Sequence, residues 1–429
     1  MPDWFSPDSP GYEAVRRPVN PAYWDVRPRL VIRCSSVSDV VSALTYAAAA
    51  GDRIAPRGGG HCFAGRSSTD GIVLDLSGLD GISVAADQVA TIGAGARLGQ
   101  VYQALHAYGR TLPAGCGPTV GIAGLTLGGG IGLLGRKHGL TCDRLIGAQV
   151  VLPDGSVVDC DHDREPDLFW GLRGAGGGQF GVVTSLRFAT VPEPMATRVE
   201  AHWSDIAFEE LVAAWQAWAP DAPDELTVNL SLVSEPGAPM RATLFGAATL
   251  EEGSTRELLR EFADRAGVSP AFEVRAGVPY HHLKDTFTSA DPWDLPGRAL
   301  RIRSEFFSHA MSGPTVASLL AQLGAPGSRR QLAFTAMGGA YNRVAEDATA
   351  FAHRGERFLL EHVADAAEPW VGRSWATAHP EGSGRVYPNF PDPELDDWPL
   401  AYHAGNFPRL TAIKNTYDPH RFFNFPQAI

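Results

Sequence analysis

The chain has 429 residues, which is too long for one compact core, so we expect two domains. Its 44% hydrophobic and 20% charged residues are typical of a soluble globular protein. A net charge of −12 argues against nucleic acid as a partner, because a phosphate backbone requires clustered Lys and Arg. No apolar run is long enough to cross a bilayer, and the N-terminus lacks the pattern of a secretory signal. We therefore expect a cytoplasmic protein that is not bound to a membrane.

The cysteines form no recognisable motif. Their number is odd, and no two of them have the CxxC spacing. This pattern predicts neither a disulfide framework nor a zinc site, and we expect no metal. The five are Cys34, Cys62, Cys116, Cys142 and Cys160.

The first part of the chain alternates strand and helix signals. RLVIRC (29–34) reads as a strand, and SSVSDVVSALTYAAAAG (35–51) reads as a helix that ends at a glycine. RIAP (53–56) reads as a strand that runs into a glycine loop, and RLGQVYQALHAYG (97–109) as an amphipathic helix. This alternation predicts an α/β or α+β domain with several strands.

From about residue 196 the pattern changes. Runs with alternating apolar and polar side chains predict strands within 196–203, 225–234, 241–250, 298–308 and 330–344. Between several of these strands, helical spacing predicts helices at 208–219, 255–267, 315–324 and 356–371. Such a pattern predicts a mainly antiparallel sheet that is covered on one face by helices.

Glycine-rich segments are the candidate binding sites. GAGARLG (93–99) and GAGGGQFG (174–181) lack the strand–GxGxxG–helix order of a Rossmann fingerprint. The loop RGGGH (57–61) could cradle a pyrophosphate on its backbone N–H groups, or it could be a simple turn with a solvent-exposed histidine. Residues 113–139 are also rich in glycine, which lets the backbone approach either a ligand or another segment closely.

Longer motifs, matched in order, carry a resemblance. They include RIAPRGGGHCFAG (53–65), PTVGIAGLTLGGGIG (118–132), DLFWGLRGAGGGQFGVVTS (167–185), VYPNF (386–390) and YHAGNFPRLTAIKNTYDPHRFF (402–423). The chain resembles the berberine-bridge-enzyme-like group of the vanillyl-alcohol-oxidase flavoprotein superfamily. The resemblance is close over 25–195 and 385–429 and loose between them.

The resemblance implies an α+β architecture in which a PCMH-type FAD-binding domain has two parts. Residues 1–195, with a core at about 25–195, would form its larger part. Residues 196–384 would form a substrate-binding domain, and residues 385–429 would return to the FAD domain.

The resemblance also implies that His61 is joined to the flavin. A neutral imidazole is a competent nucleophile, and a covalent bond fixes the position of the flavin ring. Many relatives have a second link through a cysteine directly before the Pro of this stretch, where this chain has Gly117. Cys116 lies one position earlier, so we favour a single link through His61 over a second one through Cys116. The cofactor-binding residues implied are Arg57, Gly58, Gly59, Gly60, His61, Cys116, Gly117, Thr119, Val120, Gly121, Gly124, Gly128, Val183, Asn389 and Asn424.

The catalytic base is less clearly marked. The final tyrosine of the family's C-terminal Tyr-x-Asn-Tyr motif is replaced by Phe390. The remaining candidates are Tyr387, Tyr341 and Glu305, each of which could equally have a structural role. A tyrosine would need a cationic neighbour to act as a base, and Arg343 is a candidate for that neighbour.

The function implied is that of an FAD-dependent oxidase acting on an alcohol, hemiacetal or amine. Val120 matches a position that is valine in relatives that react readily with dioxygen, so dioxygen and a small-molecule substrate are the expected partners. A redox-neutral or cyclising flavoenzyme of natural-product tailoring is the alternative, and a flavin-binding protein without turnover is a third. Residues expected on the substrate wall are Tyr280, His281, Trp293, Phe306 and Tyr341.

Overall fold

The structure is a computed structural model that describes residues 2–269, 271–286 and 297–429. Its elements up to residue 192 are β1 (Asp3–Phe5), α1 (Tyr12–Arg16), β2 (Leu30–Arg33), α2 (Val37–Ala50), β3 (Ile54–Arg57), β4 (Ile72–Asp75), β5 (Ile82–Val84), β6 (Val89–Gly93), α3 (Leu98–His106), β7 (Arg110–Thr111), α4 (Ile122–Leu127), α5 (Gly135–His138), β8 (Leu145–Val151), β9 (Val157–Cys160), α6 (Pro166–Gly171), β10 (Val182–Ala189) and β11 (Val191–Pro192).

The remaining elements are β12 (Met195–Ser204), α7 (Phe208–Trp218), β13 (Leu226–Ser234), β14 (Arg241–Ala248), α8 (Glu252–Ala266), β15 (Glu273–Pro279), α9 (Tyr280–Thr286), β16 (Leu300–Phe307), α10 (Gly313–Gly324), β17 (Arg330–Ala336), β18 (Phe358–Asp365), α11 (Trp370–Ala378), α12 (Trp398–His403) and α13 (Phe407–Tyr417). Short 3-10 helices lie at Pro21–Tyr23, Thr141–Arg144, Ala219–Asp221, Gly339–Arg343, His379–Glu381 and Ala404–Asn406.

Local sequence explains α2 well. The side chain of Ser36 accepts a hydrogen bond from the backbone N–H of Asp39 at the start of the helix. At its end, Gly51 adopts a left-handed conformation with φ of 66° and donates to helix carbonyls. The terminal glycine is the signal that the sequence offered, the Ser36 cap adds to it, and the helix predicted at 35–51 is confirmed.

The first region contains two main sheets. The four-stranded sheet has the order β1-β2-β4-β3, in which β4 runs parallel to both β2 and β3. The five-stranded sheet has the order β5-β6-β10-β8-β9 and is antiparallel throughout. A small pair, β7 and β11, joins the end of this region to the helix α3.

The seven-stranded sheet has the order β15-β12-β14-β13-β17-β18-β16, and every neighbouring pair is antiparallel. Helices α7, α8, α10 and α11 pack on one of its faces and form a continuous apolar core with it. The other face looks toward the first region. The predicted antiparallel sheet, covered by helices on one face, is therefore confirmed.

One predicted helix is wrong. Residues 358–365 form the strand β18, which pairs with β16 on one side and β17 on the other, and a helix begins only at Trp370. A strand in the interior of a sheet that is buried on both faces carries a near-continuous apolar run. Over so short a run, the spacing of the apolar residues does not distinguish such a strand from a buried helix.

The C-terminal segment packs into the first core. Leu410, Ile413, Phe423 and Ile429 are buried in the same cluster as strands β2, β4, β6, β8 and β10. The ammonium of Lys414 is fully buried, where it donates to Asp418 at 2.7 Å and to the carbonyl of Phe423 at 2.9 Å. The division of the chain at 195 and 385 into separate domains stays a prediction. Among the described residues, no helix is both long and apolar enough to cross a membrane.

Candidate active site

A cavity of about 840 Å³ lies between the first region and the free face of the seven-stranded sheet. This volume is near the upper end of the range for ligand sites, roughly 300–1,000 Å³. One wall, here called the glycine wall, is made by backbone-rich loops of residues 57–63, 115–125 and 176–183. The opposite wall, here called the sheet wall, is made by side chains of β13, β14, β17 and β18.

The glycine wall depends on a close backbone contact. A Cβ atom added to Gly59 would lie 2.2 Å from the backbone nitrogen of Gly121, and one added to Gly121 would lie 2.3 Å from the nitrogen of Gly59. Two loops whose contacting glycines are 62 residues apart in the chain (59 to 121) therefore touch backbone to backbone. For the glycine-rich stretch 113–139, the sequence left open a ligand or another segment, and at Gly121 the structure shows another segment.

His61 follows this contact and lies on the cavity wall. Its Nε2 is 2.9 Å from the hydroxyl oxygen of Thr119, which fixes the ring. The side chain opens to the cavity but is surrounded by protein. This burial, together with the positive charge of Arg97, lowers the pKa of His61 to about 4. The imidazole is therefore neutral at neutral pH and can act as a nucleophile.

The glycine wall also fits a large polar ligand. The hydroxyl oxygens of Ser67 and Ser68 are buried at the cavity and have no hydrogen-bond partner among the described residues. A Cβ atom on Gly124 would meet nothing within 4 Å, and one on Gly177 would meet only Leu127, although both glycines line the cavity. Unused donors beside uncovered backbone are what a dinucleotide needs, so the wall fits FAD.

Arg57 differs from the expected cofactor contact. Its guanidinium donates to the carbonyl of Arg16 at 2.8 Å and to the carbonyl of Val15, both in the N-terminal segment. Burial lowers its pKa. The side chain therefore anchors the N-terminal segment, so although Arg57 lines the cavity, its guanidinium is engaged by the carbonyls of Val15 and Arg16.

Most other predicted cofactor residues lie on the glycine wall. Cys116 and Gly117 both line the cavity, and the half-buried Cys116 also packs against Leu133, Leu134 and Tyr280. The structure thus places the thiol at the cavity. The other predicted residues that line the cavity are Gly58, Gly60, Thr119, Val120, Val183, Asn389 and Asn424.

Tyr387 and Asn389 hold the loop around Gly130 and the end of the 115–125 loop against the C-terminal segment. The phenolic oxygen of Tyr387 accepts hydrogen bonds from the backbone N–H groups of Gly130 and Ile131, each at 3.1 Å, and from the Asn389 amide at 2.9 Å. Burial raises the pKa of Tyr387 to about 12, and these three donors oppose the shift only in part. Gly128 is not among the cavity residues: a Cβ atom there would lie 2.2 Å from the Asn389 side-chain oxygen, so Gly128 makes room for Asn389.

Two catalytic candidates from the sequence do not reach the cavity. The hydroxyl of Tyr341 is buried and donates to the carbonyl of Gly132 at 2.8 Å. Its predicted cationic helper, Arg343, instead forms an ion pair with Asp224 at 2.6 Å. Tyr341 therefore holds helix α5 and its preceding loop in place.

Glu305 is also misplaced for catalysis. It pairs with Leu360 across β16 and β18, and Leu360 belongs to the core under the helices, so both side chains lie on the helix-covered face. There the carboxylate accepts from His379 at 3.0 Å and from the backbone of Gly384 at 2.8 Å. Burial raises its pKa to about 7, opposed by the contact with His379. The prediction of Glu305 as a catalytic residue is therefore corrected: side chains alternate along β16, and Glu305 points to the helix-covered face and not to the cavity.

The sheet wall contains a carboxylate that sequence reasoning missed. Glu361 on β18 lines the cavity with only 8% of its surface exposed, and it lies across from Ala333 and Ser304 on the neighbouring strands. Because 356–371 was predicted as a helix, the sequence did not predict that Glu361 faces the cavity from a strand. The signal that was available was a lone Glu inside the apolar run FLLEHV.

Polar groups accompany Glu361. Gln331 and Thr227 both line the cavity, and the side-chain oxygens Oε1 of Gln331 and Oγ1 of Thr227 are buried without a hydrogen-bond partner among the described residues. The amide nitrogen of Gln331 is held by Ser231 at 2.8 Å, which directs the amide group. Buried polar atoms that lack partners are expected where a ligand supplies them.

The residues that were predicted to line the substrate side of the site do not line the cavity. Tyr280, His281, Phe306 and Tyr341 are buried and are not among the residues that line the cavity. Trp293 lies outside the described residues. The sheet wall is instead lined by Thr227, Asn229, Phe245, Gln331, Ala333, Thr335, Leu359 and Glu361.

Comparison with known proteins agrees with this architecture. A family model described as "FAD binding domain" matches residues 28–161, and one described as "Berberine and berberine like" matches residues 386–429. An FAD-linked oxidoreductase of Bacillus subtilis, YgaK, is 33% identical over 437 residues, which cover 98% of this chain and 95% of that protein. A chitooligosaccharide oxidase of Gibberella zeae is 30% identical, with 94% of this chain and 87% of that protein covered.

Solved structures share the fold. BBE-like 1 of Physcomitrella patens superposes with a TM-score of 0.90 at 27% identity, covering 100% of this chain and 96% of that one. A chitooligosaccharide oxidase superposes with a TM-score of 0.87 at 26% identity, covering 100% and 97%. The FAD-binding segment, the C-terminal segment and the sheet between them all correspond. This chain therefore belongs to the berberine-bridge-enzyme-like family of PCMH-type FAD-linked oxidoreductases.

Proposed function

We propose that the protein is an oxidase whose FAD is covalently attached to His61. The observation that carries this proposal is the neutral imidazole on the cavity wall, fixed by Thr119 and kept unprotonated by burial. A protonated imidazole has no free lone pair, whereas a neutral one can bond to the flavin ring. The surrounding glycines and unpaired serine hydroxyls supply the space and the donors for the rest of the cofactor.

Bound FAD would supply a two-electron acceptor for a hydride from a substrate C–H bond, with dioxygen as the final oxidant that yields hydrogen peroxide. The protein must hold the substrate between the two walls and accept the proton that leaves its O–H or N–H group. The reacting group that fits is an alcohol, hemiacetal or amine carbon.

Glu361 is our candidate for the proton acceptor. It is the carboxylate on the sheet wall, and its position opposite Ala333 gives a substrate room to approach it. Gln331 and Thr227 can hold the substrate through their unpaired oxygens, which accept hydrogen bonds from hydroxyl or amine groups. These acceptors support a substrate with several O–H or N–H donors.

Tyr387 has a different part in the proposal. With its pKa raised to about 12, the phenol stays protonated at neutral pH and does not serve as a resting base. Its oxygen accepts three N–H groups, which fixes the loop around Gly130 against the C-terminal segment. We infer that Tyr387 positions the cavity wall.

The attachment is tested by intact mass after acid denaturation of the purified holoenzyme. We expect one flavin bound to the wild type and none to His61→Ala, with Cys116→Ser keeping its flavin. Retention of flavin by His61→Ala would contradict a single link through His61 and point to Cys116, and loss in Cys116→Ser would assign the link to that thiol.

The reaction class is tested by adding panels of saccharides, alcohols and amines to the enzyme. We expect anaerobic bleaching of the flavin by a substrate and, in air, one peroxide for each substrate oxidised. Turnover without oxygen uptake would instead support a redox-neutral or cyclising enzyme. If no candidate bleaches the flavin, the oxidase proposal loses its support.

A further inference from the structure

A cluster of two histidines and one glutamate lies outside the cavity, where three distant parts of the chain meet. His106 ends helix α3, Glu193 follows β11, and His281 lies in the first turn of α9. The Nδ1 atom of His106 is 2.6 Å from Oε2 of Glu193, and the Nδ1 atom of His281 is 2.8 Å from Oε1. The potential ligand atoms of the three residues all lie within 4.8 Å of one another.

The two imidazole rings are stacked, with centroids 3.6 Å apart and an interplanar angle of 30°. Both rings direct the same nitrogen toward one carboxylate. Stacked rings whose Nδ1 atoms share one carboxylate bring two nitrogen ligands and an oxygen ligand, the donor types that zinc takes, to one place.

From this geometry we propose that His106, Glu193 and His281 form a binding site for a divalent transition metal ion of the zinc type. Zinc bonds to imidazole nitrogen and carboxylate oxygen at about 2.0–2.2 Å, which sets neighbouring ligand atoms roughly 3.4 Å apart in a tetrahedral shell. The two nitrogen–oxygen separations of 2.6 and 2.8 Å would lengthen toward that spacing on binding, and all the ligand atoms already lie within 4.8 Å of one another. On binding, the ion replaces the Nδ1 proton of each ring, and a neutral ring then carries its proton on Nε2.

The burial of the cluster suits such a site. Glu193 and His281 each have only 7% of their side chain exposed, whereas His106 is 42% exposed. The ion can therefore enter from the His106 side, where water completes its coordination. The second oxygen of the carboxylate is oriented, because Oε1 of Glu193 also accepts the backbone N–H of His281 at 2.9 Å.

A metal ion at this site would hold secondary-structure elements together and would take no part in the reaction. Neither His106, Glu193 nor His281 lines the cavity. The ring of Tyr102, one turn before His106 on α3, packs edge-on against Tyr280, and its hydroxyl donates to the carbonyl of Gly115 at 2.6 Å. A metal ion would thus tie α9 to α3 and, through Tyr102, stiffen the loop that carries Cys116.

The test uses untagged holoenzyme that has been stripped with a chelator and returned to buffer. Zinc chloride is added, and bound zinc is measured by elemental analysis after gel filtration, together with the thermal unfolding temperature. We expect one zinc ion per chain and a rise in unfolding temperature that grows with zinc concentration. His106→Gln, at the exposed position, should weaken zinc binding by about 100-fold or more, since even indirect partners of a ligand contribute 10–100-fold.

Glu193→Gln is a second variant, because its amide oxygen can still accept the backbone N–H of His281 while losing the charge that a metal needs. His202→Gln is the matched control: His202 lies 3.7 Å from Glu200 and is half-exposed, but it is not part of the three-residue cluster. The control should bind zinc like the wild type. Binding in the wild type no tighter than in His106→Gln and Glu193→Gln would overturn the proposal and leave Glu193 as a hydrogen-bonding cap of α9.

Discussion

The glycine wall and the sheet wall enclose the same cavity, but the first is built mainly from backbone and the second from side chains. The glycine wall is formed by backbone, with Gly59 and Gly121 in contact and Gly124 open to the cavity. The sheet wall is formed by side chains such as Gln331 and Glu361 that project from regular strands. A backbone wall tolerates no added atoms where loops touch, whereas a sheet accepts a new side chain at each position. The difference suggests that cofactor binding is fixed by the first wall and substrate choice is set by the second.

The largest expected effect comes from Gly59→Ala. The new Cβ atom would lie 2.2 Å from the Gly121 nitrogen, so one loop must move, and we expect destabilisation of about 3 kcal/mol or more with loss of bound flavin. Thermal unfolding and flavin content measure this. Gly124→Ala is the control for the stability measurement, because its Cβ atom meets no protein atom within 4 Å. Equal stability of the two variants would contradict the backbone contact.

The next effect concerns the sheet wall. Glu361→Gln keeps the shape of the side chain but removes the proton acceptor, so we expect a loss of about 10²–10⁴-fold in kcat. Flavin content should be unchanged, since Glu361 lies on the opposite wall. Steady-state kinetics and the rate of anaerobic flavin reduction measure the loss.

Glu305→Gln is the matched control for Glu361, because the two glutamates lie on adjacent strands with opposite orientations. It should leave kcat within a few-fold of the wild type. If Glu305→Gln lowers the rate and Glu361→Gln does not, our assignment of the faces is wrong.

Glu305 should instead affect stability. Its folded pKa of about 7 exceeds the ordinary value of 4.5 because it is buried, so the folded state keeps a proton that the unfolded state releases. Stability therefore falls as the pH rises from about 4.5 to about 7, by up to about 3 kcal/mol. The difference in the free energy of unfolding between the wild type and Glu305→Gln, measured in urea across this pH range, reports it. Glu257→Gln, at an exposed position, should follow the wild-type pH profile.

Tyr387→Phe should have the smallest effect. Removal of the hydroxyl deprives the N–H groups of Gly130 and Ile131 and the Asn389 amide of an acceptor, with a cost of about 1–3 kcal/mol in stability. We expect a smaller loss in kcat than for Glu361→Gln. The exposed Tyr108→Phe serves as control. A loss in kcat that equals that of Glu361→Gln would show that Tyr387 takes part in proton transfer.

Much of the glycine wall could be predicted, because its motifs are local. The loop 57–61, the 118–132 stretch and the C-terminal segment each carry their signal within a few residues, and His61 follows from the loop that contains it. Arg57 is the exception. Its position at the cavity follows from the motif, but the direction of its side chain depends on Val15 and Arg16, which the motif does not contain.

The sequence by itself determined the family, the glycine-rich loops and the position of His61 at a candidate binding loop, since each depends on residues that are neighbours in the chain. Only the tertiary structure decided which glutamate faces the cavity. Glu305 and Glu361 lie one residue out of register on paired strands, and side chains alternate between the faces of a sheet. A one-residue difference in pairing, which no local pattern records, places one carboxylate under the helices and the other in the cavity.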